Sequence, residues 1–426
     1  MEPTTRNREL GCSPLPAKLV HGGASHFQSE HVPPVDNPPH ITRRSLARAA
    51  LIPLAAAFAG SRRAAADSDM IAQMRDIVAG ELAPTATPEH PGGLAAALYA
   101  GRHVEFFNYG FADEASKRPV TPDTLFNLAS LRKPFEATLV ASGTLRGELK
   151  LDDPLPKYLP ELSGAYVRNV TVGELATHTS GLLLPTDHPP WPNDSYSQAQ
   201  FIDMLNAFAP PVGVVPGKQR IYSHAGYVLL QLVLERCYRA PIAKLIESRV
   251  LTPLGMHATS APERGPDNRA IMDAATLRRV AQGYSDQGST IGPIGGQQSY
   301  FDFPGTGQMF SSARDLATFV SACVDGRAID PHLREALRMT QRESFRTDQT
   351  FGQASFGQAM AWETVHLDGL TVVDKPGGLN NASGYIGLVP SRRIGIVLLA
   401  NRGEYPHEIA RYRILPALAH LLTAHS

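Results

Sequence analysis

Cysteine is scarce: Cys12, Cys237 and Cys323 are the three in 426 residues. Three cannot build a disulfide scaffold or a four-cysteine zinc site. An excess of one charge is also missing. Lys and Arg total 40 and Asp and Glu total 40, which argues against a strongly basic nucleic-acid binder. No apolar run approaches the roughly 20 residues that span a bilayer, so no integral membrane span is expected. The G-x-S-x-G elbow, the H-E-x-x-H zinc helix and the G-x-x-x-x-G-K-[ST] phosphate loop do not occur. No internal repeat is visible. What is abundant is Gly and Pro, 36 and 35 residues. Together they are about 17% of the chain against an average near 12%. That excess predicts many turns and loops, not a helical bundle or a coiled coil.

The first 66 residues read as an export leader rather than as fold. Residues 1 to 41 are polar and Pro-rich. Arg43-Arg44 then precedes the uncharged stretch Ala49 to Gly60, and Ala64-Ala65-Ala66 follows. A basic segment, a short apolar segment and small residues make an export signal, and the paired arginines resemble the twin-arginine type. The bland alternative is a buried Ala-rich helix. Arg62 and Arg63 are unusual so close to a cleavage site, and a 41-residue preface is long. Cleavage after Ala66 would place the product in the periplasm or outside the cell. It would leave a net charge of about −4. Cys237 and Cys323 would remain, either as a pair or as two separate buried thiols.

The mature chain opens with strand signals. Leu94 to Tyr99 is apolar, Ala100 to His103 reads as a turn, and Val104 to Tyr109 as a return strand. The spacing of Leu125, Leu128, Leu131, Phe135, Leu139 and Val140 predicts a helix within 124–147. Residues 150 to 300 read as helices broken by Pro- and Gly-rich loops, the longest from Pro185 to Ser197. Helices are expected over 225–239 and 312–324. Strands return over 370–374, 385–389 and 394–400, the last two joined by Pro390 to Arg393 as a hairpin. A closing helix is expected over 405–423. Strands at both ends with helices between them predict one antiparallel sheet built from both termini and flanked by helices, an α+β type of α/β architecture. A helical lobe, about 126–299, would be inserted into a lobe made of about 67–125 and 300–426.

The candidate chemistry starts at Ser130-Leu131-Arg132-Lys133. On a helix, positions i and i+3 share a face, so Lys133 can reach the Ser130 hydroxyl. A serine becomes a nucleophile when a neighbour takes its proton, and a lysine held neutral by burial and nearby positive charge can do so. Alone, the pair reads as a surface helix pair. Tyr222-Ser223-His224 and Lys375-Pro376-Gly377 follow in order. Taken singly, Tyr222 reads as a core tyrosine and Lys375 as a solvated strand end. His178 reads as structural. His224 is open between a site residue and a satisfied structural histidine. Trp191 and Tyr196, in the Pro-rich loop, either line a pocket or pack on the surface.

In that order the three elements resemble S-x-x-K, Y-x-N and K-T-G of penicillin-binding proteins and class C β-lactamases. Thr177-His178-Thr179-Ser180-Gly181-Leu182, Pro253-Leu254-Gly255-Met256 and the tail from Gly384 through Asn401-Arg402 to Tyr405-Pro406 resemble the same family. The resemblance covers roughly residues 70 to 425. It implies that Ser130 is acylated, with Lys133 and Tyr222 moving its proton. It implies that Lys375 lowers the Tyr222 pKa and orients a substrate carboxylate. The N–H groups of Ser130 and Gly378 would form an oxyanion hole. His224, Gly377, Gly378 and Asn401 would contact substrate. The implied substrate is a small β-lactam or ester, taken by a monomer with no metal and no cofactor. The sequence departs from the pattern in places. His224 stands for Asn, Pro376 for Thr, and Pro185 where class C enzymes often carry Gln. Lys133-Pro134 is similar to esterase relatives. These departures keep a carboxylesterase or transacylase, and a D-Ala carboxypeptidase, open beside a β-lactamase.

Overall fold

The computed structural model describes residues 68–85, 91–183, 197–263, 269–296, 309–326, 329–403 and 407–424. The leader expected over 1–66, and the Pro-rich loop with Pro185, Trp191 and Tyr196, lie outside the described residues. The chain divides into residues 1–74 and 75–426. Of the first, residues 68–74 are described and are helical; the second carries everything below.

Strands at both ends of this unit form one nine-stranded sheet. They are β1 (Gly93–Ala100), β2 (His103–Asp113) and β3 (Arg118–Pro119), then, after the short pair β4 (Phe126–Asn127) and β5 (Phe310–Ser311), β6 (Phe345–Phe351), β7 (Ala354–Gln358), β8 (Glu363–Leu367), β9 (Leu370–Leu379), β10 (Ala382–Val389) and β11 (Ile394–Ala400). The order is β3-β2-β1-β11-β10-β9-β8-β7-β6. Its pairings are antiparallel, and β1 meets β11 from Leu94 with Ala400 to Ala100 with Ile394. The first strand of the unit thus closes on the last, as strand signals at both ends require.

The centre of this sheet is covered on both faces. All eight residues of β10 and all seven of β11 are buried. An unbroken apolar run is the pattern of a strand with helices on either side. Two glycines identify those helices. A Cβ on Gly395 would meet Val320 of α3 (Ala313–Val324), and a Cβ on Gly387 would meet Leu415 of α5 (Leu415–Ala424). Gly395 pairs with Leu388, next to Gly387 in sequence. The two glycines therefore face opposite sides, and each lets a helix approach. Before α3 the chain forms α1 (Lys133–Arg146) and α2 (His224–Tyr238), and after it α4 (Pro331–Thr340). Phe135 on α1 stacks on Phe319 on α3 with ring centres 4.4 Å apart.

Several boundaries differ from expectation. The helix expected from Thr124 starts at Lys133. Leu125 to Arg132 is instead β4 followed by a 3₁₀ turn, Ala129–Arg132. Leu125, Leu128 and Leu131 are fully buried, so burial keeps the apolar spacing going through segments that are not helical. Among the described residues of 150–300 the longer helices are Gln198–Ala207, α2 and a continuous run from Ile242 to Leu254 that widens to a π-helical turn over Glu247–Leu251; the others span five residues or fewer. Strand β9 runs to Leu379, five residues past the expected end. The closing helix begins at His407 and widens to a π-helical turn over Ala410–Ile414. Cys237 and Cys323 are two separate buried thiols, and burial pushes the Cys323 thiol above its usual range.

Candidate active site

The reacting cluster forms where the 3₁₀ turn, the segment before α2 and the end of β9 converge. Ser130 sits on the turn and Lys133 opens α1. Ala129, just before Ser130, takes φ 47°. The left-handed region costs a residue with a Cβ on the order of 1–2 kcal/mol, and such strain gathers at functional sites. Pro134 lies in the first helical turn, where its missing N–H leaves no gap in the ladder. The Lys133 Nζ donates to Ser130 Oγ at 3.1 Å. The i, i+3 contact expected of S-x-x-K is therefore present, across a 3₁₀-to-α junction.

Tyr222 comes from the short segment whose Ser223 caps α2. The Ser223 hydroxyl accepts from Gly226 N–H at 2.9 Å. His178 holds the segment from behind. Its carbonyl accepts from Ile221 N–H at 2.8 Å, and its Nδ1 accepts from Ser223 N–H at 3.3 Å. Its ring lies 4.3 Å from that of Tyr222. Burial first, then the charges of Lys375, Lys133 and Arg220, push the His178 pKa well below the usual histidine range. His178 is thus a neutral packing group, in keeping with the structural reading. The Tyr222 hydroxyl lies 2.8 Å from Ser130 Oγ. Lys375 Nζ lies 4.5 Å from the Tyr222 ring centre and Lys133 Nζ 5.3 Å. Burial raises the phenol pKa, but Lys133 and Lys375, with hydrogen bonds to Ser130 and Lys133, outweigh it and bring the value down to about 8. Burial likewise lowers the pKa of Lys375, against the pull of Tyr222.

Strand β9 lays a free edge along this cluster. β8 begins at Glu363, which pairs with Asp374, so β9 runs on past β8 from Lys375. Gly377 allows the strand to lie flush on the nucleophile turn, since a Cβ there would come within 3.0 Å of the Leu128 carbonyl. Pro376 indicates which way the edge faces. It pairs with Tyr385 on β10 and has no N–H, so that position must turn its backbone polar groups away from β10. Two residues on, Gly378 has the same place in the pleat and also lines the cleft.

The cleft itself is about 950 Å³ and includes Ser130, Tyr222, His224, Lys375, Pro376, Gly377 and Gly378 in its wall. His224 is the first residue of α2, with its ring edge-on to Tyr222 at 5.3 Å. Of the eight singled-out site residues, seven come together here: Lys133 reaches Ser130 from just behind the wall. Asn401 does not join them. It is 2% exposed; its Oδ1 accepts from Gly93 N–H at 2.6 Å and its Nδ2 donates to the Gln282 carbonyl at 2.7 Å. That side chain ties the end of β11 to β1 and to the 282 loop, so the expected substrate contact is corrected to a structural clasp. The sequence reading missed Arg220, Glu363, Ser383, Arg402 and His407, which also line the cleft. Glu363 carried a weak signal, a lone charge between the buried Trp362 and Thr364; Arg220 carried none.

A family model described as Beta-lactamase matches residues 82–419. A β-lactamase of Pseudomonas fluorescens is 27% identical, covering 78% of this chain and 95% of its own length. Among solved structures, a class C β-lactamase from Rhodobacter sphaeroides is similar with a TM-score of 0.66 and 28% identity, covering 82% of this chain and 99% of its own. A D-alanine carboxypeptidase from Burkholderia cenocepacia is similar to the same degree, with a TM-score of 0.66, 27% identity and coverage of 84% and 100%.

Proposed function

The chain belongs to the β-lactamase family of serine hydrolases, and on that premise we propose that it opens β-lactam amides through an acyl-enzyme on Ser130. The observation that carries this reading is the three-way contact of Ser130 with Lys133 and Tyr222, backed by Lys375. Tyr222, in its anionic form, takes the Ser130 proton as Oγ attacks the lactam carbonyl, with Lys133 hydrogen-bonded to the same oxygen. The carbonyl oxygen gains negative charge in the tetrahedral intermediate, and the N–H groups of Ser130 and Gly378 receive it. The ring C–N bond breaks and its nitrogen takes the proton from Tyr222. Water, deprotonated by Tyr222, then attacks the ester; the acyl C–O bond breaks and Ser130 Oγ takes that proton back from Tyr222, which returns to its anionic form. This chemistry calls for no metal and no cofactor. Mass spectrometry after exposure to a penicillin tests it. A Ser130 adduct that forms and clears is expected, one that persists would mean a penicillin-binding protein, and an unlabelled serine would remove the β-lactam reading.

Pro376 and His224 favour a second reading, a carboxylesterase or transacylase at the same serine, because they stand where the family pattern has a Thr hydroxyl and an Asn amide. A hydroxyl bonded to a carboxylate contributes about 1.5–3 kcal/mol, roughly ten- to a hundredfold in affinity. Pro376→Thr is therefore expected to lower KM for an anionic cephalosporin by at least about tenfold and to leave a neutral ester unchanged. Equal change on both substrates would make Pro376 a backbone-shaping residue and strengthen the esterase reading.

We also propose that residues 1–66 direct twin-arginine export to the periplasm or beyond and are removed there. N-terminal sequencing of the exported protein is expected to begin at Asp67. A cytoplasmic product that retains Arg43-Arg44 would rule this out.

A further inference from the structure

Behind the reacting cluster, four charged side chains form one connected chain. Arg220, two residues before Tyr222, donates from its guanidinium NH2 to Glu363 Oε1 at 2.5 Å. The other oxygen of Glu363 accepts from Arg411 at 2.9 Å. Arg411 forks onto Asp374 with contacts of 2.6 and 2.9 Å, and Asp374 is the residue before Lys375. Both oxygens of each carboxylate are engaged. Tyr385 Oη adds a bond to Asp374 at 2.7 Å, and Gln358 accepts from Arg220 Nε at 2.6 Å. The far end of the set is dry, with the Asp374 side chain 0% exposed and that of Arg411 8%, while Arg220 and Glu363, 18% and 17% exposed, reach the cleft wall.

Stability does not explain such an arrangement. A buried ion network usually contributes no more than well-packed apolar groups of the same volume. Geometry does explain it. The chain of contacts joins the segment that carries Tyr222, the start of β8, the end of β9 that carries Lys375, and the π-helical turn Ala410–Ile414, where Arg411 sits. π-turns within helices occur often at functional sites.

We propose that Glu363, bridging Arg220 and Arg411, is a positioning residue that fixes Lys375 against Tyr222. The proposal rests on the reading of Ser130, Tyr222 and Lys375 as the reacting set. Glu363 acts in two ways. It ties the two chain segments at a fixed separation, and it is the carboxylate facing Lys375. The other groups facing Lys375 are Lys133 on α1, Tyr222 and Arg220 before α2, and the neutral His178. Tyr222 and Glu363 favour the charged ammonium, while Lys133 and Arg220 oppose it.

Glu363→Gln and Arg220→Gln test this, because they break the same contact with opposite charge. The titration of Lys375 is read by NMR on ¹³C-lysine protein, assigned with Lys375→Arg, and hydrolysis of a Ser130 substrate is followed in parallel. Loss of the Glu363 charge is expected to move the Lys375 titration down by about one pH unit, and loss of the Arg220 charge to move it up. Both variants are expected to lower kcat by about ten- to a hundredfold with KM within about threefold, since misplacement of a reacting group by about 1 Å has that effect. Shifts in one direction, no shift, or an unchanged kcat would overturn the proposal, leaving a structural network only. If Glu363→Gln does not fold, Arg220→Gln decides alone, and a Lys375 titration that fails to rise overturns it. If the wild-type serine accepts no acyl group from any lactam or ester, the reacting-set reading fails, while the Lys375 titrations still decide whether Glu363 holds that lysine.

Discussion

Replacing Ser130 with alanine is expected to abolish covalent labelling and to lower kcat by on the order of 10^4- to 10^6-fold on lactams and esters alike. Removing the nucleophile of a mutually dependent set costs about as much as removing the whole set, and what remains comes from binding and the oxyanion donors. The geometry supports a loss of this size. Ser130 Oγ is the atom on which Lys133 Nζ and the Tyr222 hydroxyl converge, at 3.1 and 2.8 Å. Without it those two groups have no proton to exchange with a substrate-attacking oxygen. The fold should persist. Lys133 and Tyr222 lose one shared partner, a change of about 1 kcal/mol, so the thermal midpoint is expected to move by no more than about 2 °C. Kinetics with nitrocefin and p-nitrophenyl acetate, together with a melting curve, check both halves. Near-normal turnover by a folded alanine variant would end the acyl-enzyme reading. A variant that has lost its melting transition would move the question to Ser130→Gly, which removes the same oxygen.

The residues that were readable in the sequence are those whose signal is local. Ile394 to Ala400 is a continuous apolar run next to a turn, and it is a central strand in the structure. Ser130 and Lys133 sit three apart, so their contact needs only one turn of chain. Tyr222 and Lys375 were legible through their order along the chain rather than through any local pattern. The strands β6 and β7 were not legible, because they lie at the edge of the sheet, and β6 reads Phe-Arg-Thr-Asp-Gln-Thr-Phe with no apolar alternation. The 3₁₀ turn was hidden by burial, since Leu128 and Leu131 are in the core whether or not the backbone is helical. Asn401 misled for the opposite reason. Its place in a family-like tail suggested the cleft, but its amide satisfies backbone groups of three separate segments. The Arg220–Glu363–Arg411–Asp374 chain was out of reach, because its members are as far as 191 positions apart and only the fold brings them together.

Tyr222→Phe is expected to lower kcat by about 10^2- to 10^4-fold, the usual contribution of a positioned general base, and to erase a rise in rate centred near pH 8. The argument follows from the charges around one phenol. Burial alone would raise its pKa above 10, but the two lysines and the hydrogen bonds to Ser130 and Lys133 bring it to about 8. At pH 7 roughly one molecule in ten then carries the phenolate, and at pH 8 about half. If the phenolate accepts the Ser130 proton, kcat/KM climbs with pH through that value. The effect on stability has a definite sign as well. A depressed pKa stabilises the fold above the unfolded value near 10, and that gain is lost as pH falls through 8. Near pH 7 the titration adds almost nothing, so the phenylalanine variant loses little stability there. Its ring can keep its place, packed 4.3 Å from His178, while Lys133 still reaches Ser130. The measurement is a pH–rate profile from about pH 5 to 10 on a neutral ester, whose own charge does not change. A flat, depressed profile in this range is the expected result. If the variant keeps a limb near pH 8, the titrating base is a group other than Tyr222, and Tyr222 serves only to orient Ser130.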